Sequence, residues 1–228
     1  MRCWLTLMRV LITILAAGGA LLAPQAAGAA TIEALGPCYR SVDVETRQTV
    51  PVKASGFTPG ARVNVYIDGR VVQENITVLP EGQIEGGVSA PYQASGERPF
   101  TLTVTQVGQP SNTASTSSRV AALALRLKPR KAKPSRRVRF LGRGFIDGTE
   151  VFAHYVRKGK LRKTVSLGAP RGPCGRVSVK RRQIPVADPA LGRWTLQVDN
   201  QETYSPEPPS VFTRLTITVT RALPASGR

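Results

Sequence analysis

Gly56-Phe57-Thr58-Pro59-Gly60-Ala61-Arg62-Val63 recurs later in the chain as Gly144-Phe145-Ile146-Asp147-Gly148-Thr149-Glu150-Val151. Both stretches fit the frame Gly-Phe-x-x-Gly-x-x-Val, and they start at residues 56 and 144, an offset of 88. The frame predicts an aromatic anchor at the end of one strand, a tight turn at the second glycine and a new strand at the valine. The recurrence predicts two copies of one β-structured unit.

Two further matches follow in the same order along the chain. Pro99 to Val104 aligns with Arg193 to Val198, and Arg119 to Leu127 aligns with Thr213 to Arg221, each with an offset of 94. A few extra residues in the middle of the second copy account for the change in offset. Three matches in one order predict a duplicated domain rather than a stray motif.

Alternating apolar residues indicate the strands of each copy. The predicted inward-facing sets are Val63, Val65 and Ile67; Phe100, Leu102 and Val104; Leu123, Leu125 and Leu127; Trp194, Leu196 and Val198; and Leu215, Ile217 and Val219. Asp68-Gly69 and Arg157-Lys158-Gly159-Lys160 have the chemistry of hairpin turns. About seven such strands in about 95 residues predict an all-β chain with two tandem immunoglobulin-like β-sandwich domains.

The Gly-Phe-x-x-Gly-x-x-Val frame resembles immunoglobulin-like modules common in secreted actinobacterial proteins and, more distantly, the neocarzinostatin type of β-sandwich. The resemblance covers both halves of the chain after its N-terminal apolar stretch, through a short and mostly structural motif. It implies the sandwich fold. The chain lacks the two cysteine pairs inside one domain that neocarzinostatin-type proteins carry. A chromophore-carrying role therefore does not transfer, and no binding residue is carried over.

The N-terminus has the three-part pattern of a secretory signal peptide. Arg2 and Arg9 supply positive charge, Val10 to Ala23 is largely apolar, and Ala27-Gly28-Ala29 fits the small-x-small cleavage rule. The apolar stretch is shorter than the roughly 20 residues of a spanning helix, which weighs against a retained membrane anchor. The sequence predicts an exported protein, secreted or held at the cell surface.

The predicted domain plan has a signal peptide at 1–30, a first domain at 31–127, a basic proline-containing linker at 128–135, a second domain at 136–221 and a tail at 222–228. The prolines and like charges of Lys128 to Pro134 favour an extended linker. Gln109 to Ser118, rich in Ser and Thr, and Gln201 to Ser210, with three prolines, are predicted as irregular stretches.

Two cysteines, Cys38 and Cys174, remain after the predicted cleavage, because Cys3 lies in the signal peptide. Export permits a disulfide, and two cysteines allow one intramolecular pairing. That bridge would join the two halves of the chain. The alternatives are two free thiols or a bond between chains.

The net positive charge is concentrated in the second half of the chain. Residues 31–125 hold seven Lys or Arg and eight Asp or Glu, a net charge of −1, whereas residues 126–228 hold 23 basic and six acidic residues, a net charge of +17. The basic residues form three groups, at 126–139, 157–163 and 180–182. The candidates for anion binding are Arg130, Lys131, Lys133, Arg136, Arg137, Arg157, Lys158, Lys160, Arg162, Lys163, Lys180, Arg181 and Arg182.

A positive potential of this strength concentrates polyanions, and such binding weakens as salt rises. The sequence predicts a cell-envelope binding or adhesion protein whose second domain contacts an anionic cell-wall polymer or an acidic lipid surface. The alternative is a structural or protein–protein interaction module in which the charge is incidental. Sequence-specific nucleic-acid recognition is not indicated, since no helix suited to a major groove is predicted and the protein is exported.

No catalytic, metal or cofactor site is indicated, so the sequence predicts a non-enzyme without a cofactor. His154, the single histidine, is predicted in a strand as a surface or half-buried residue, and no nucleophile is fixed near it. One histidine and two separated cysteines do not make a zinc site. Gly142, Gly144 and Gly148 have the wrong spacing for a dinucleotide-binding loop.

Overall fold

The computed structural model describes residues 29–207 and 211–220, and it contains only strands and loops within those ranges. The strands are β1 (Thr31–Ile32), β2 (Tyr39–Ser41), β3 (Thr49–Ser55), β4 (Arg62–Ile67), β5 (Arg70–Thr77), β6 (Ile84–Ser89), β7 (Glu97–Gln106), β8 (Gln109–Ala122), β9 (Ala124–Lys128), β10 (Arg137–Arg143), β11 (Val151–Arg157), β12 (Lys160–Gly168), β13 (Val177–Arg182), β14 (Gly192–Asp199) and β15 (Phe212–Val219). The predicted all-β class is confirmed. Nearly all of the predicted signal peptide and the whole C-terminal tail lie outside the described residues.

The first sandwich consists of β1 to β8 in two sheets. Three strands pair in the order β1-β3-β6, and five pair in the order β2-β8-β7-β4-β5. Every pairing is antiparallel except that of β2 with β8, which is parallel. The chain therefore passes from one sheet to the other between β1 and β2.

The second sandwich consists of β9 to β15 and repeats this plan. Its sheets have the orders β13-β10-β9 and β12-β11-β14-β15, with antiparallel pairing throughout. Ala124 of β9 pairs with Arg143 of β10, as Thr31 of β1 pairs with Ser55 of β3. β9 is thus the first strand of the second sandwich. Among the described residues, this sandwich has no counterpart of β2.

Each sandwich has its own hydrophobic core. The side chains of β4 and β7 that the alternation predicts to face inward are all buried in the first core, and those of β14 in the second. Burial of each such aliphatic or aromatic side chain contributes about 1.5–3 kcal/mol relative to exposure. Alternation in these strands therefore locates both cores correctly.

The repeated Gly-Phe pair closes the core in the same way in both sandwiches. The glycine of the pair has a φ above 80° in each copy, a conformation that favours glycine. The rings of Phe57 and Phe145 are buried. Their backbone amides donate to the carbonyl oxygens of Gly82 and Gly175, at 3.1 and 3.3 Å. A second glycine, distant in sequence from the frame, therefore completes the motif in each copy.

The boundary between the two sandwiches lies before β9, whereas the sequence places it after residue 127. Leu125 and Leu127 point into the second core, and β9 pairs with β10 over its whole length. Residues 129–136 are consequently the connection from β9 to β10, not a linker between domains. Alternation shows which face of a strand is buried but not which strand is its neighbour, so the apolar pattern at Leu123 to Leu127 is compatible with either sandwich.

The third sequence match is wrong. Phe100 pairs with Ser118, whereas Trp194, its equivalent, pairs with Ile217, five residues beyond the position that an offset of 94 predicts. The cause is the connection between β14 and β15, which spans residues 200–211, while a two-residue turn joins β7 to β8. As predicted, the proline-containing stretch joins two strands of the second sandwich, although its residues 208–210 lie outside the described ranges.

Gln109 to Ser118 belongs to strand β8 and is not the irregular stretch that its composition predicts. Hydroxyl groups of β7 and β8 form cross-strand pairs on the exposed face: Thr101 with Ser117 (3.4 Å), Thr103 with Ser115 (2.9 Å) and Thr105 with Thr113 (2.8 Å). Cross-strand Thr and Ser pairs stabilise a sheet. A composition typical of loops therefore forms a strand because its partner strand supplies matching hydroxyls.

A disulfide joins the two sandwiches. Cys38 precedes β2 and Cys174 lies between β12 and β13, and they are bridged with their Cα atoms 5.2 Å apart. The predicted intramolecular pairing is confirmed. Both cysteines are buried beside Ala121 and the half-buried Ile146, in a small cluster between the two cores.

Ion pairs flank the disulfide on both sides of the junction. Arg40, whose side chain is 10% exposed, donates to Asp147 Oδ2 at 2.9 Å. Glu97 accepts from Arg176 at 2.6 Å and from Arg119 at 2.9 Å. The hydrogen bond from Arg176 is the main reason why the pKa of Glu97 is lowered, against the opposing effect of burial, and Arg119 lowers it further. The junction is thus held by one covalent bond and two ionic contacts, each of which joins a largely buried side chain to an exposed one.

Candidate anion-binding surface

The second sandwich has one end against the first sandwich and one end directed away from it. β10 finishes at the junction, where the amide of Gly144 donates to the carbonyl oxygen of Cys174 at 2.9 Å. The opposite end carries three connections, at residues 129–136, 158–159 and 183–191. We call these three connections, with the strand ends beside them, the distal end.

Hydrogen bonds hold the three distal connections together. The backbone amide of Gln183 donates to the Arg136 carbonyl at 2.9 Å, and its side-chain amide donates to the Arg130 carbonyl at 3.2 Å. The guanidinium of Arg157 donates to the carbonyl of Leu191 at 2.8 Å. Three basic groups that are separate in the sequence therefore meet at one end of the molecule.

Most of the predicted anion-binding residues lie at this distal end. Those in its connections or at its strand ends are Arg130, Lys131, Lys133, Arg136, Arg137, Arg157, Lys158, Lys160, Lys180 and Arg182. Arg162 and Lys163 lie further along the edge strand β12. Arg181 is half-buried, and its guanidinium donates to the carbonyl of Ser166, so it ties the two sheets together rather than facing outward with its neighbours.

The outer surface of the sheet β13-β10-β9 carries a second basic arrangement, which we call the basic face. In β9 and β10, apolar residues and glycine occupy the buried positions and basic residues most of the others. Cross-strand partners share a face in an antiparallel sheet, so the register places Lys180 and Arg182 of β13 on the same side as Arg137 and Arg139. The basic face consists of Arg126, Lys128, Arg137, Arg139, Arg143, Lys180 and Arg182.

Like charges lie directly opposite one another on this face. Arg137 pairs with Arg182, and Arg139 lies between Lys180 and Lys128. Strands β9, β10 and β13 contain no Asp or Glu. Like charges opposite one another destabilise a sheet, and an arrangement that costs stability is typical of a surface used for binding an opposite charge.

The acidic residues of the second sandwich are segregated at the other end. Five of the six acidic residues of 126–228 lie at the start of β11, at the end of β14 or in the connections there: Asp147, Glu150, Asp199, Glu202 and Glu207. The sixth, Asp188, lies in the distal connection 183–191. The second sandwich is therefore a charge dipole whose positive pole points away from the junction.

Four members of the basic face are absent from the predicted anion-binding set, namely Arg126, Lys128, Arg139 and Arg143. Strand alternation is the sequence signal that could have found them. Arg139 and Arg143 are an even number of residues from Arg137, and Arg126 and Lys128 are two residues apart, so each pair lies on one face of its strand. Their membership also depends on β9 pairing with β10. A sequence-based boundary that assigns β9 to the first domain separates Arg126 and Lys128 from the others.

His154 is fully buried, contrary to the predicted surface or half-buried position. Its Nε2 lies 3.2 Å from Asp199 Oδ1 and 3.0 Å from the carbonyl of Gln201, and both are acceptors, so Nε2 carries the proton. Nδ1 lies 3.0 Å from the hydroxyl of Thr164. The side chain of Gln197 donates to Asp199 and to the carbonyl of residue 205. This network fastens the connection after β14 to the outer surface of its own sheet.

The Thr164–His154–Asp199 arrangement has the connectivity of a catalytic relay but not its accessibility. The imidazole has no exposed surface, and the Asp199 side chain is 2% exposed. A general base must reach the proton that it removes from a substrate. The network therefore fixes the position of the connection after β14, and it does not present a reacting group to a substrate.

Acid should weaken the second sandwich through Asp199. Burial by itself raises the pKa of this carboxyl, but hydrogen bonds from His154, the Gln201 amide and Gln197 outweigh burial and lower the pKa below the ordinary 3.8. Because the folded state binds this proton less readily than the unfolded chain, the carboxylate contributes stability above about pH 4, which is lost as the pH falls through the folded pKa.

We expect the free energy of unfolding, followed by the fluorescence of the buried Trp194, to fall between about pH 4 and pH 2 in the natural chain. In Asp199→Asn the stability should be lower at pH 7 and should change less over the same interval. Equal slopes for the two proteins would show that Asp199 is not the group responsible.

Within residues 29–207 and 211–220, no group of three or more His, Cys, Asp or Glu side chains is placed to hold a metal ion. The same part of the chain has no helix long and apolar enough to cross a membrane.

Comparison with known proteins gives structural matches only. No protein-family model matches the chain, and no curated protein does. Among solved structures, the chain is similar to the N-terminal eight immunoglobulin domains of Down syndrome cell adhesion molecule isoform 1.30.30, with 12% identity, a TM-score of 0.31, and coverage of 85% of this chain and 28% of the other. It is also similar to a Bacteroides ovatus protein, SGBP-B of a mixed-linkage glucan utilization locus, solved with a heptasaccharide.

The Bacteroides match has 13% identity and a TM-score of 0.24, and it covers 80% of this chain and 43% of the other. The chain thus spans less than half the length of either structure. TM-scores this low do not support an argument about function. The assignment of two tandem immunoglobulin-like β-sandwiches rests on the strand order and the two cores described above.

Proposed function

We propose that the protein is an exported, non-catalytic binding protein of the cell envelope, and that the distal end and basic face of its second sandwich hold an anionic polymer or surface. The observation that carries this proposal is the convergence of the three basic groups on one end of the sandwich. Such a concentrated positive potential attracts polyanions over a long range and speeds encounter with them.

Incidental charge does not account for this arrangement. Basic residues spread evenly over a surface would avoid placing Arg137 against Arg182 and Arg139 against Lys180. The first sandwich, made by the same duplication, has a net charge near zero. The net positive charge is therefore specific to one copy and, within it, is concentrated at one end and on one face.

The disulfide supports an oxidising location for the protein. Cys38 and Cys174 are bridged and buried at the junction, and structural disulfides persist mainly in exported proteins. Tethering through the second sandwich would leave the first sandwich, with its exposed hydroxyl-lined sheet, projecting away from the bound surface. The whole chain then acts as a spacer with one adhesive end.

Charge reversal at the distal end should abolish most of the binding. We expect Lys131→Glu combined with Lys160→Glu to weaken binding to immobilised polyphosphate at least about 10-fold at low salt, because each lost phosphate contact reduces both the affinity and its salt dependence. Both side chains are exposed, and Lys131 lies in the connection 129–136 whereas Lys160 is the first residue of β12, beside the connection 158–159. The readout is the dissociation constant measured from low salt to about 0.5 M salt.

The matched control is Arg62→Glu combined with Arg70→Glu, which changes the net charge equally in the first sandwich, where both residues are exposed. This control should lower the affinity less than about threefold, through long-range potential alone. If the natural chain does not bind polyphosphate at low salt, or if the two double variants lose affinity equally, the proposed function is wrong.

A second candidate function, docking of an extended acidic peptide, is favoured by the open side of the second sandwich. β9 and β15 are edge strands there, and a groove of about 490 Å³ between them is lined by four apolar and three basic side chains: Leu125, Leu127, Leu215, Ile217, Arg126, Arg130 and Arg214. Exposed edges accept an added strand through main-chain hydrogen bonds. Peptide binding of this kind would protect the β15 amides from hydrogen exchange and would persist at salt concentrations that release a polyanion.

A further inference from the structure

The basic residues of the sheet β13-β10-β9 form a straight, regularly spaced strip. Alternate residues of an antiparallel strand lie about 7 Å apart on one face, and neighbouring strands lie about 4.8 Å apart. A step here is one outward-facing residue of β10 together with its cross-strand partners. The four steps are Arg137 with Arg182, Arg139 with Lys180 and Lys128, Leu141 with Arg126, and Arg143. At least one basic side chain therefore stands at every step.

The strip has defined dimensions. From Arg137 to Arg143 it is about 20 Å long, since six residues of strand separate the two, and its three strands make it about 10 Å wide. These proportions match one extended polymer chain lying along β10. The apolar side chains on the strip, Ala124 and Leu141, are both half-buried, so the strip offers little to insert into a bilayer.

One end of the strip is closed by the first sandwich. Arg143 lies beside Gly96, in the turn before β7, and a cleft of about 300 Å³ between the sandwiches is lined by Arg126, Leu141, Arg143 and Ser95. The other end opens onto the distal connections. A chain lying on the strip would therefore stop at the junction and continue freely beyond the distal end.

The spacing selects the chemistry of the ligand. Three backbone bonds of an extended chain span about 3.5 Å, so a polymer with six backbone bonds per repeat advances about 7 Å per repeat. A phosphodiester polymer with a three-carbon unit between phosphates has this repeat, and arginine guanidinium groups bind phosphate oxygens through two parallel hydrogen bonds. Both poly(glycerol phosphate) and single-stranded nucleic acid share this backbone.

We propose that the basic face is a binding track for one linear phosphodiester polymer, with each successive phosphate held at one step along β10 and the chain end stopped at the cleft between the sandwiches. This proposal rests on the proposed function and names its ligand class and binding mode. Arg139 is the central contact, because it has a basic neighbour on both adjacent strands.

The track makes affinity depend on polymer length. Using the full mature chain and fluorescent poly(glycerol phosphate) oligomers, we expect affinity to rise steeply up to about four repeats, the number that fits a strip of about 20 Å, and to increase less than about twofold for each later doubling of length. A steady rise without a plateau would overturn the track.

Residue substitution supplies the second readout. Arg139→Gln should weaken binding of a six-repeat oligomer about 10-fold and reduce the slope of log affinity against log salt by about one. The control is Arg70→Gln, an exposed position in the first sandwich with the same change in charge. It should lower the affinity less than about twofold.

The outcomes separate the track from the proposed function. If Arg139→Gln and Arg70→Gln lose affinity equally, the track is wrong while polyanion binding stands. If the natural chain binds no poly(glycerol phosphate), oligothymidylate or polyphosphate at low salt, both fail. Tighter binding to vesicles of acidic phospholipid than to oligomers, with the same response to Arg139→Gln, would replace the track with a membrane surface.

The two sources of the shared backbone are compared directly. Equal affinity for poly(glycerol phosphate) and oligothymidylate of the same number of phosphates shows recognition of the repeat alone, as the track requires. A preference for poly(glycerol phosphate) also supports the track and identifies a wall-type polymer as its ligand. Binding to oligothymidylate that needs base stacking, revealed by loss of binding to abasic oligomers, would overturn it.

Discussion

Replacement of both bridging cysteines, Cys38→Ser with Cys174→Ser, should lower the free energy of unfolding by about 4 kcal/mol, near the upper end for a disulfide because the bridge closes a loop with a sequence separation of 136 residues. The buried cluster around the bridge has few other members, Ala121 and Ile146. Little apolar packing remains there to replace the covalent link.

The loss should also change the shape of the unfolding curve. Each sandwich has a separate core. Without the bridge, the junction keeps the ion pairs Arg40–Asp147 and Arg176–Glu97, of which the second includes an exposed arginine, and the packing of the half-buried Val42 against the second core. Exposed ion pairs contribute little. We expect one guanidinium transition in the natural chain and two in the double variant.

Two probes distinguish the transitions. Trp194 reports the second sandwich alone, because the other tryptophan, at position 4, lies in the predicted signal peptide. Far-ultraviolet circular dichroism reports both sandwiches. Reduction of the natural chain should reproduce the behaviour of the double variant, and the double variant should not respond to reductant. An unchanged midpoint for the second sandwich after removal of the bridge would contradict this prediction.

Substitution of Gly175 by alanine should destabilise the second sandwich by about 4 kcal/mol, the sum of left-handed backbone strain and forced displacement of a packed group. Gly175 has a φ of 57°, and a Cβ atom there would stand 2.3 Å from the carbonyl carbon and oxygen of Phe145. Phe145 cannot yield without withdrawing its fully buried ring from the core.

Gly172→Ala is the matched control for Gly175→Ala. It lies in the same connection with a φ of 70°, and nothing stands within 4 Å of its Cβ position. This variant should lose about 1 kcal/mol of stability, the cost of holding alanine in the left-handed backbone conformation. Gly82→Ala in the first sandwich, where the Cβ would stand 2.7 Å from the Phe57 carbonyl oxygen, should fall between the two.

Denaturant unfolding of the three alanine variants measures this series. Trp194 fluorescence reports the variants at 172 and 175, and circular dichroism reports the variant at 82. Should Gly175→Ala fail to fold, the order of Gly82→Ala and Gly172→Ala still tests the close-approach argument. Equal losses at positions 82, 172 and 175 would show that φ alone accounts for these glycines.

Repetition in the sequence predicts more of the fold than any single pattern does. The Gly-Phe frame finds the equivalent core strands correctly because a positive φ and a buried ring are local requirements that duplication preserves. The third match fails because it lies beyond the longer β14–β15 connection. The apolar alternation of Leu215 to Val219 does not reveal that β15 is shifted by five residues against β14 relative to the first copy.

Residue types alone also misplace Gln109 to Ser118 and His154. Serine and threonine are typical of turns, yet the hydroxyl pairs between β7 and β8 place them in a sheet. His154 is buried because Asp199 and the Gln201 carbonyl, 45 and 47 residues away, supply its partners. Contacts across such separations are not recorded in local composition.

The amino-acid sequence alone is sufficient to predict the all-β class, the duplication and the concentration of net positive charge in the second copy, since these follow from residue identity, period and count. It permits the bridge between Cys38 and Cys174 but leaves free thiols and a bond between chains open, and the structure decides for the bridge. Tertiary structure decides which strands are neighbours. β9 belongs to the second sandwich, and its pairing with β10 adds Arg126 and Lys128 to the basic face. The distal end exists because chain reversal brings three separate connections to one edge, and side-chain charge acts through distance in space rather than through separation along the chain.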